Sequence, residues 1–435
     1  MNKGIKLWKK ATKIIPGGNS ILSKRPDRYV PDLWPTYFER AKGINVWGLD
    51  GKKYLDMAQM GIGSSILGYS NKSVNFEVNK AIKQGVSTTL NSKEEYILAK
   101  KLLSLNKGFS SVKFARSGGE AMAMAVRIAR AYYKDAKIAF SGYHGWFDWY
   151  LATNLENKSN LNNHLLPGLS TKGVPSSLKG SIYPFSYDSV SDFCRLTKKH
   201  KNIKIIVVES GRSDFPNSKF VREIMSFVKK NKAILICDEI TTGFRYNGKG
   251  LYEDVGFKPD LAVYGKGMGN GFAITAVVGK KKIMKFAQET FISSSNWSER
   301  VGFVAANKTL EIINKKKTWL HINRIGKLIS KGWNDIIKKH KLKISVGNFY
   351  PLISMKLNYG NLNNYILTFF IQEMLKKGYL ASSSIYVSYA HKESHVKKYL
   401  RETDKIFFTI SNNLNLKFFK KKLKNRIRSD SFKRL

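Results

Sequence analysis

Two residues in this chain have the chemistry and the placement to work as a pair. Lys266 lies in the run Asp260-Leu-Ala-Val-Tyr-Gly-Lys-Gly-Met-Gly-Asn-Gly271, between glycines and just past a short apolar stretch. Asp238 closes another apolar stretch, Ala233-Ile-Leu-Ile-Cys237. A lysine amine held where backbone comes close is suited to forming a Schiff base with an aldehyde. A carboxylate at a strand end is suited to keeping a ring nitrogen protonated. Pyridoxal phosphate needs both partners to act as an electron sink, so the pair points to that cofactor. Each residue alone has a plainer reading. Asp238 is also placed to cap a helix or to pair with Arg245, and Lys266 to be a loop charge.

Other candidates follow apolar runs in the same way. Ser117-Gly118-Gly119-Glu120 stands between a strand and a helix. Backbone N–H groups at a helix N-terminus attract anions, and glycine lets a phosphate come close. Ser141-Gly-Tyr-His-Gly-Trp146 follows the next strand. Tyr143 offers a flat face to a conjugated ring, or simply joins an aromatic cluster. His144 reads either as a base or as a hydrogen-bonded structural histidine. Glu209 ends Ile205-Ile-Val-Val208 and reads equally as functional or as a solvated strand end.

These residues need a scaffold of strands and helices behind them. Short apolar runs at Val112–Ala115, Lys137–Phe140, Ile205–Val208, Ala233–Cys237 and Leu261–Tyr264 alternate with helical patterns such as Glu94–Leu103 and Glu120–Tyr133. In the latter, Ala121, Ala125, Ile128 and Tyr132 share one face. Continuous apolar runs separated by helices predict an α/β fold with a buried, mainly parallel sheet. Ligands bind at the carboxyl ends of such strands. Tyr37–Trp47 and Lys53–Asp56 flank the hairpin signal Leu49-Asp50-Gly51. Ile344–Ser354 reads as extended, and Asn363–Lys377 and Glu393–Phe407 as helices of a smaller lobe. The division expected is a segment 1–60 contributing to the small lobe, a large cofactor-binding domain 61–305, and a C-terminal domain 306–435 with a basic tail.

Composition narrows the function. The chain has 435 residues and a formal charge of +45. The lysines are spread over nearly the whole length, and no zinc finger or RNA-binding aromatic motif accompanies them. The charge therefore reads as a solvated, lysine-rich surface and not as a nucleic-acid interface. The denser tail Phe418–Arg428 reads as a frayed helix, with contact to an anionic surface as the alternative. Two cysteines, Cys194 and Cys237, make neither a disulfide framework nor a metal site. No run approaches the roughly 20 apolar residues of a membrane span, and the N-terminus does not read as a secretory signal. Cytoplasmic location is the default expectation.

Taken in order, these motifs resemble the class III, fold-type I pyridoxal-phosphate aminotransferases, and among them the glutamate-1-semialdehyde 2,1-aminomutase-like branch. The similarity runs from about Trp8 to Phe407. Ile15-Pro-Gly-Gly-Asn-Ser20 and Arg40-Ala-Lys-Gly-Ile-Asn-Val-Trp-Gly-Leu-Asp-Gly51 resemble the branch's opening motif and hairpin. Ser117-Gly-Gly-Glu-Ala121 resembles its phosphate loop, Tyr143-His-Gly145 its ring-stacking motif, and Asp238-Glu-Ile-Thr-Thr-Gly-Phe-Arg245 its ring-nitrogen motif. The resemblance implies a fold-type I transferase domain with a smaller α+β lobe. It implies that Ser117, Gly118 and Gly119 hold phosphate, Tyr143 with His144 and Glu209 flanks the ring, Asp238 meets its nitrogen, and Lys266 takes the aldehyde. Ser293–Arg300 falls where the family reaches the neighbouring subunit's phosphate. Ser294 or Ser295 fills that role, which implies a homodimer with its active site at the interface. Tyr389-Ala-His391 is a further landmark.

The activity implied is amino-group transfer on a small amine or amino acid, by a transaminase or an intramolecular aminomutase. The chain departs from the aminomutase pattern at Arg116 (usually asparagine), Gly119 (usually threonine) and Ser210 (usually proline). The arginine expected to bind the substrate carboxylate has only Lys24 or Arg25 as stand-ins. These departures point to an alternative substrate, such as an amino-sugar or other surface-polysaccharide precursor. The reading of another class is a non-catalytic basic binding protein on the same fold.

Overall fold

The structure is a computed structural model describing residues 2–164, 167–423 and 426–431. The chain divides into two compact units, Lys72–Thr318 and Met1–Asn71 with Trp319–Leu435. The boundaries expected at 60 and 305 both fall inside these units. Residues 61–71 stay with the first unit because Tyr69 and Gly43 exchange backbone hydrogen bonds, and the Tyr69 hydroxyl donates to Asp56. Helix Arg300–Lys316 stays with the second because it packs on helices Lys72–Gln84 and Lys93–Leu105.

The larger unit is built on a seven-stranded sheet. Across it the order is Ser111–Ala115, Thr275–Gly279, Leu261–Tyr264, Ile234–Asp238, Ile203–Glu209, Lys137–Ser141, Ile182–Pro184. All run in one direction except Thr275–Gly279, which is antiparallel to both of its neighbours. The central strands Ile234–Asp238, Leu261–Tyr264 and Thr275–Gly279 are buried at every position. That accounts for continuous apolar runs with no alternation: helices cover both faces, so every side chain leaves water. Helix Gly118–Tyr132 packs across four of these strands. It buries Met122, Met124, Val126 and Ala129 as well as the expected Ala121, Ala125 and Ile128. Strands Ile182–Pro184 and Thr275–Gly279 are additions to the sequence reading.

The smaller unit joins both ends of the chain. Phe38–Lys42, Asn45–Gly48 and Lys53–Met57 form a meander, extended by Tyr379–Ala381 parallel to Lys53–Met57. The stretch 344–354 is not one extended segment. It breaks around Pro351 into Ile344–Val346 and the start of Leu352–Leu357, which pair antiparallel. A proline there supplies no ladder N–H, so the strand starts after it. The tail is not frayed as far as it is described. Helix Leu416–Lys422 buries Phe419, and beyond it Ser429 N–H donates to the Asp27 carbonyl at 2.8 Å while Arg28 Nη1 donates to the Ser429 carbonyl at 2.8 Å. Lys424 and Asn425 of that tail lie outside the described residues. No helix of the described residues is long and apolar enough to cross a membrane.

Candidate active site

The parallel strands bring their carboxyl ends to one edge of the sheet, and Ser117, Tyr143, Glu209, Asp238 and Lys266 all follow from those ends. Glu209 and Asp238 are direct register partners on adjacent strands. One side chain links the loops. Ile240 donates its backbone N–H to Asp238 Oδ1 at 2.9 Å. Its side chain lies 3.0 Å from where a Cβ on Gly118 would stand and 3.4 Å from one on Gly265. The acid, the phosphate loop and the residue before Lys266 thus converge on Ile240.

Asp238 is 5% exposed and His144 1%. His144 Nδ1 lies 2.8 Å from Asp238 Oδ2, and His144 Nε2 lies 3.1 Å from the Ser141 carbonyl. A carbonyl only accepts, so Nε2 carries a proton. Nδ1 faces a carboxyl oxygen, so that contact holds one more proton, on the imidazole or on the acid. With both nitrogens engaged, His144 is an orienting group for Asp238 and not a free base.

Lys266 sits at φ 37°, in the left-handed region, after an extended Gly265. A non-glycine residue held there costs on the order of 1 kcal/mol, and such strain concentrates at functional loops. Its ammonium donates to Thr241 Oγ1 at 2.6 Å. Thr241 stands three residues after Asp238, so the same loop orients both the acid and the amine.

Ser117 caps helix Gly118–Tyr132. Its backbone N–H donates to Glu120 Oε2 at 2.7 Å, and Glu120 N–H returns a bond to Ser117 Oγ at 3.4 Å. This reciprocal cap fixes the loop. Glycine at 119 has a steric cause. A Cβ there would stand 3.0 Å from the Phe147 ring, and a Cβ on Gly145 would meet the Gly119 backbone at 2.9 Å. The two loops approach so closely that a side chain at 119 requires the Phe147 ring to give way.

Tyr143 is partly buried against the core, edge-on to Tyr150 with centroids 5.8 Å apart. Burial, with the Asp238 charge nearby, pushes its phenol up. Glu209 holds this loop from behind. Its Oε2 accepts from the Tyr143 N–H at 3.3 Å and from Arg212 Nη1 at 3.1 Å. Arg212 Nη1 also donates to the His164 carbonyl at 2.6 Å. His164 Nδ1 accepts from the Gly142 N–H at 3.3 Å, and burial pushes this imidazole down to about 4. The Glu209 carboxylate is therefore engaged with the loop that carries Tyr143.

Ser294 and Ser295 are exposed. Their segment is tied to the phosphate loop by Trp297, whose indole N–H donates to Glu120 Oε1 at 3.3 Å. In the other unit, Arg25 is committed to Asp27 through two bonds at 2.9 and 3.0 Å, whereas Lys24 is exposed. His391 there is buried and structural: Nε2 donates to the Asp56 carbonyl at 3.0 Å and Nδ1 accepts the Ser388 N–H at 3.0 Å. The sequence reading missed Ile240, Thr241 and Arg212 as site residues. Ile240 and Thr241 stood in the Asp238–Arg245 run, and Arg212 stood three residues after Glu209. Among the described residues no cluster of His, Cys, Asp or Glu is placed to hold a metal.

The chain matches the aminotransferase class-III family over residues 29–379. It is 27% identical to 3-aminobutyryl-CoA aminotransferase of Cloacimonas acidaminovorans, covering 86% of this chain and 88% of that one. It is 29% identical to glutamate-1-semialdehyde 2,1-aminomutase of Nitrosopumilus maritimus, covering 91% and 96%. Among solved structures it resembles a pyridoxal-phosphate form of the FumI protein of Sphingopyxis sp. MTA144, with TM-score 0.84 at 22% identity over 94% of this chain and 97% of that one. An omega-transaminase from Sphaerobacter thermophilus gives TM-score 0.83 at 19% identity over 95% and 98%. These structural likenesses establish the fold.

Proposed function

The chain belongs to the class-III aminotransferase family, and from that premise we propose how its own residues carry pyridoxal-phosphate-dependent amino transfer. Pyridoxal phosphate is the family's cofactor, and when bound it supplies the electron sink that lets an amine-bearing carbon lose a proton. The observation that carries the assignment of roles is the convergence on Ile240. The Ile240 side chain lies between the phosphate loop and the lysine loop, and its backbone N–H holds the acid.

The residues present fit this cofactor. The N-terminus of helix Gly118–Tyr132, with Ser117 and two glycines, offers backbone N–H groups to a phosphate. Asp238, held by His144 and the Ile240 N–H, would face the pyridine nitrogen and keep a proton on it. Tyr143 offers its face to the ring, and Glu209 and Arg212 fix the loop on which it stands. Lys266 would hold the cofactor through its aldehyde, and its side-chain amine is the group that would move a proton at the reacting carbon. Thr241 orients that amine.

We assign Ser294 and Ser295 to the phosphate of a second copy, in a cytoplasmic homodimer. Their exposure supports this. So does the set of exposed large apolar residues in the same unit: Phe76, Leu90, Tyr96, Trp146 and Phe291, the last 86% exposed. A partner copy that covered them would remove this apolar surface from water.

Replacement of Lys266 by alanine tests the roles. The variant is expected to lose the visible absorbance of the bound cofactor, with turnover falling by about 10³-fold or more. Turnover within about tenfold of wild type would overturn the assignment. A half-reaction screen then separates the branches. Conversion of the cofactor by ordinary amino donors marks a transaminase, and response only to glutamate-1-semialdehyde or its diamine marks a mutase. Conversion by an amino sugar marks a polysaccharide-precursor enzyme.

A further inference from the structure

We propose that Arg116 is a positioning residue for the cofactor phosphate: its guanidinium holds the segment carrying Ser294 and Ser295 in fixed register with the loop Ser117–Gly119. The inference rests on the phosphate roles proposed above for these two stretches.

Arg116 directly precedes Ser117, and its side chain bonds chiefly to main-chain carbonyls. Nε donates to the Asn296 carbonyl at 2.7 Å, Nη2 to the Trp297 carbonyl at 3.1 Å and to the Glu299 carbonyl, and Nη1 to the Ala273 carbonyl at 3.2 Å. The Glu299 carboxylate lies 3.6 Å away, and the cation stands 5.0 Å from the Phe303 ring centroid. Main-chain carbonyls thus take bonds from all three guanidinium nitrogens. A planar fork of this kind dictates backbone shape, which a single ammonium point charge cannot do.

The clamp is local and continuous. Trp297 N–H donates to the Ser294 carbonyl at 3.1 Å, so residues 296–299 carry Ser294 with them. Glu120 receives Arg116 N–H and Ser117 N–H on one oxygen and the Trp297 indole on the other. Glu299 also caps helix Arg300–Lys316 through Val301 and Gly302 N–H. On the far side, Thr275 Oγ1 donates to the Ser117 carbonyl at 3.3 Å. The two halves of a phosphate grip are therefore locked together within one chain. In a two-fold dimer each half serves a different site, so one guanidinium sets the geometry at both. Gly302 makes the space: a Cβ there would lie 2.2 Å from Arg116 Nη1.

The test uses apo-protein titrated with pyridoxal phosphate and, separately, with pyridoxal, which lacks the phosphate. Arg116→Gln and Gly302→Ala should each weaken pyridoxal phosphate by about tenfold or more while pyridoxal stays within about twofold. Arg116→Lys should not restore the grip. Equal weakening of both compounds would mean a general structural role and would overturn the inference, as would unchanged affinity for both. If Arg116→Gln does not fold, Gly302→Ala decides alone by the same criteria. Wild-type protein that takes up neither compound would overturn the cofactor reading itself, and this inference with it. A wild-type preference for the phosphate that survives in the variants would overturn only the role of Arg116.

Discussion

Each unit buries an aspartate beside a histidine, and the two carboxylates differ in how far their hydrogen-bonding capacity is filled. Asp56 and Asp238 are both 5% exposed, and His391 and His144 are 0% and 1% exposed. Asp56 is saturated. Its Oδ1 accepts from Ala58 and Gln59 N–H at 2.9 and 3.1 Å, and its Oδ2 from Met60 N–H and Tyr69 OH at 3.2 and 2.6 Å. A carboxylate has about four acceptor positions, and here all are filled. The His391 ring bonds to the Asp56 carbonyl and to Ser388, and burial pushes it down to about 4, so it is neutral. Among the described residues Asp238 makes one hydrogen-bond contact on each oxygen, with the Ile240 N–H and with His144, and retains acceptor capacity. Equal burial therefore does not separate structure from chemistry. Under the roles proposed above, unfilled hydrogen-bonding capacity does.

Paired substitutions test this contrast most directly. Asp238→Asn should leave the fold nearly intact while turnover falls by about 10²–10³-fold, the scale of removing one preorganised electrostatic partner. Asp56→Asn should do the reverse. It leaves buried donors facing each other, for a loss of about 2–4 kcal/mol in denaturant unfolding with little change in turnover per folded molecule. If Asp56→Asn kept full stability and lost activity, the contrast would fail.

The pH dependence sharpens it. His391 sits near 4 when folded, against 6.5 for the free side chain. The folded state thus binds fewer protons in that window. Its contribution is present above pH 6.5 and lost as pH falls toward 4, amounting to about 3 kcal/mol. His164 in the larger unit is shifted the same way. In His391→Gln, unfolding measured from pH 7 to 5 should lose one of these two acid-sensitive contributions.

The smallest effect concerns Glu239, fully buried one residue from Asp238. It accepts from Thr242 Oγ1 at 2.5 Å and from Tyr252 N–H at 2.8 Å. Burial raises it to about 7 from 4.5. The folded state favours the protonated form, so stability falls as pH rises from 4.5 through 7. Glu239→Gln mimics the protonated acid. It should gain about 1 kcal/mol at pH 8 and nothing at pH 5, read by thermal unfolding at both values.

Much of the site was legible because each polar candidate ended an apolar run. Asp238, Lys266, Tyr143 and Ser117 could be picked from that local pattern, since burial on both faces of a sheet forces polar residues to strand ends. Thr275–Gly279 was missed: its short run Thr-Ala-Val-Val-Gly shows no sign of its reversed direction, which depends on pairing with two distant strands. Arg212 was missed because its contact with Glu209 has no periodic signal. Arg116 was noticed only as a departure, since its carbonyl partners lie more than 150 residues away.

The sequence by itself determined the order of the strand-end residues and hence the class of chemistry, because apolar runs and helix caps are local in origin. Tertiary structure alone decided which of two buried acids is saturated and which remains open. It also turned His144 onto Asp238, committed Arg25 to Asp27, and put Arg116 to work on a distant loop. Those outcomes depend on hydrogen bonds closed in space, whose partners are chosen by packing and not by spacing along the chain.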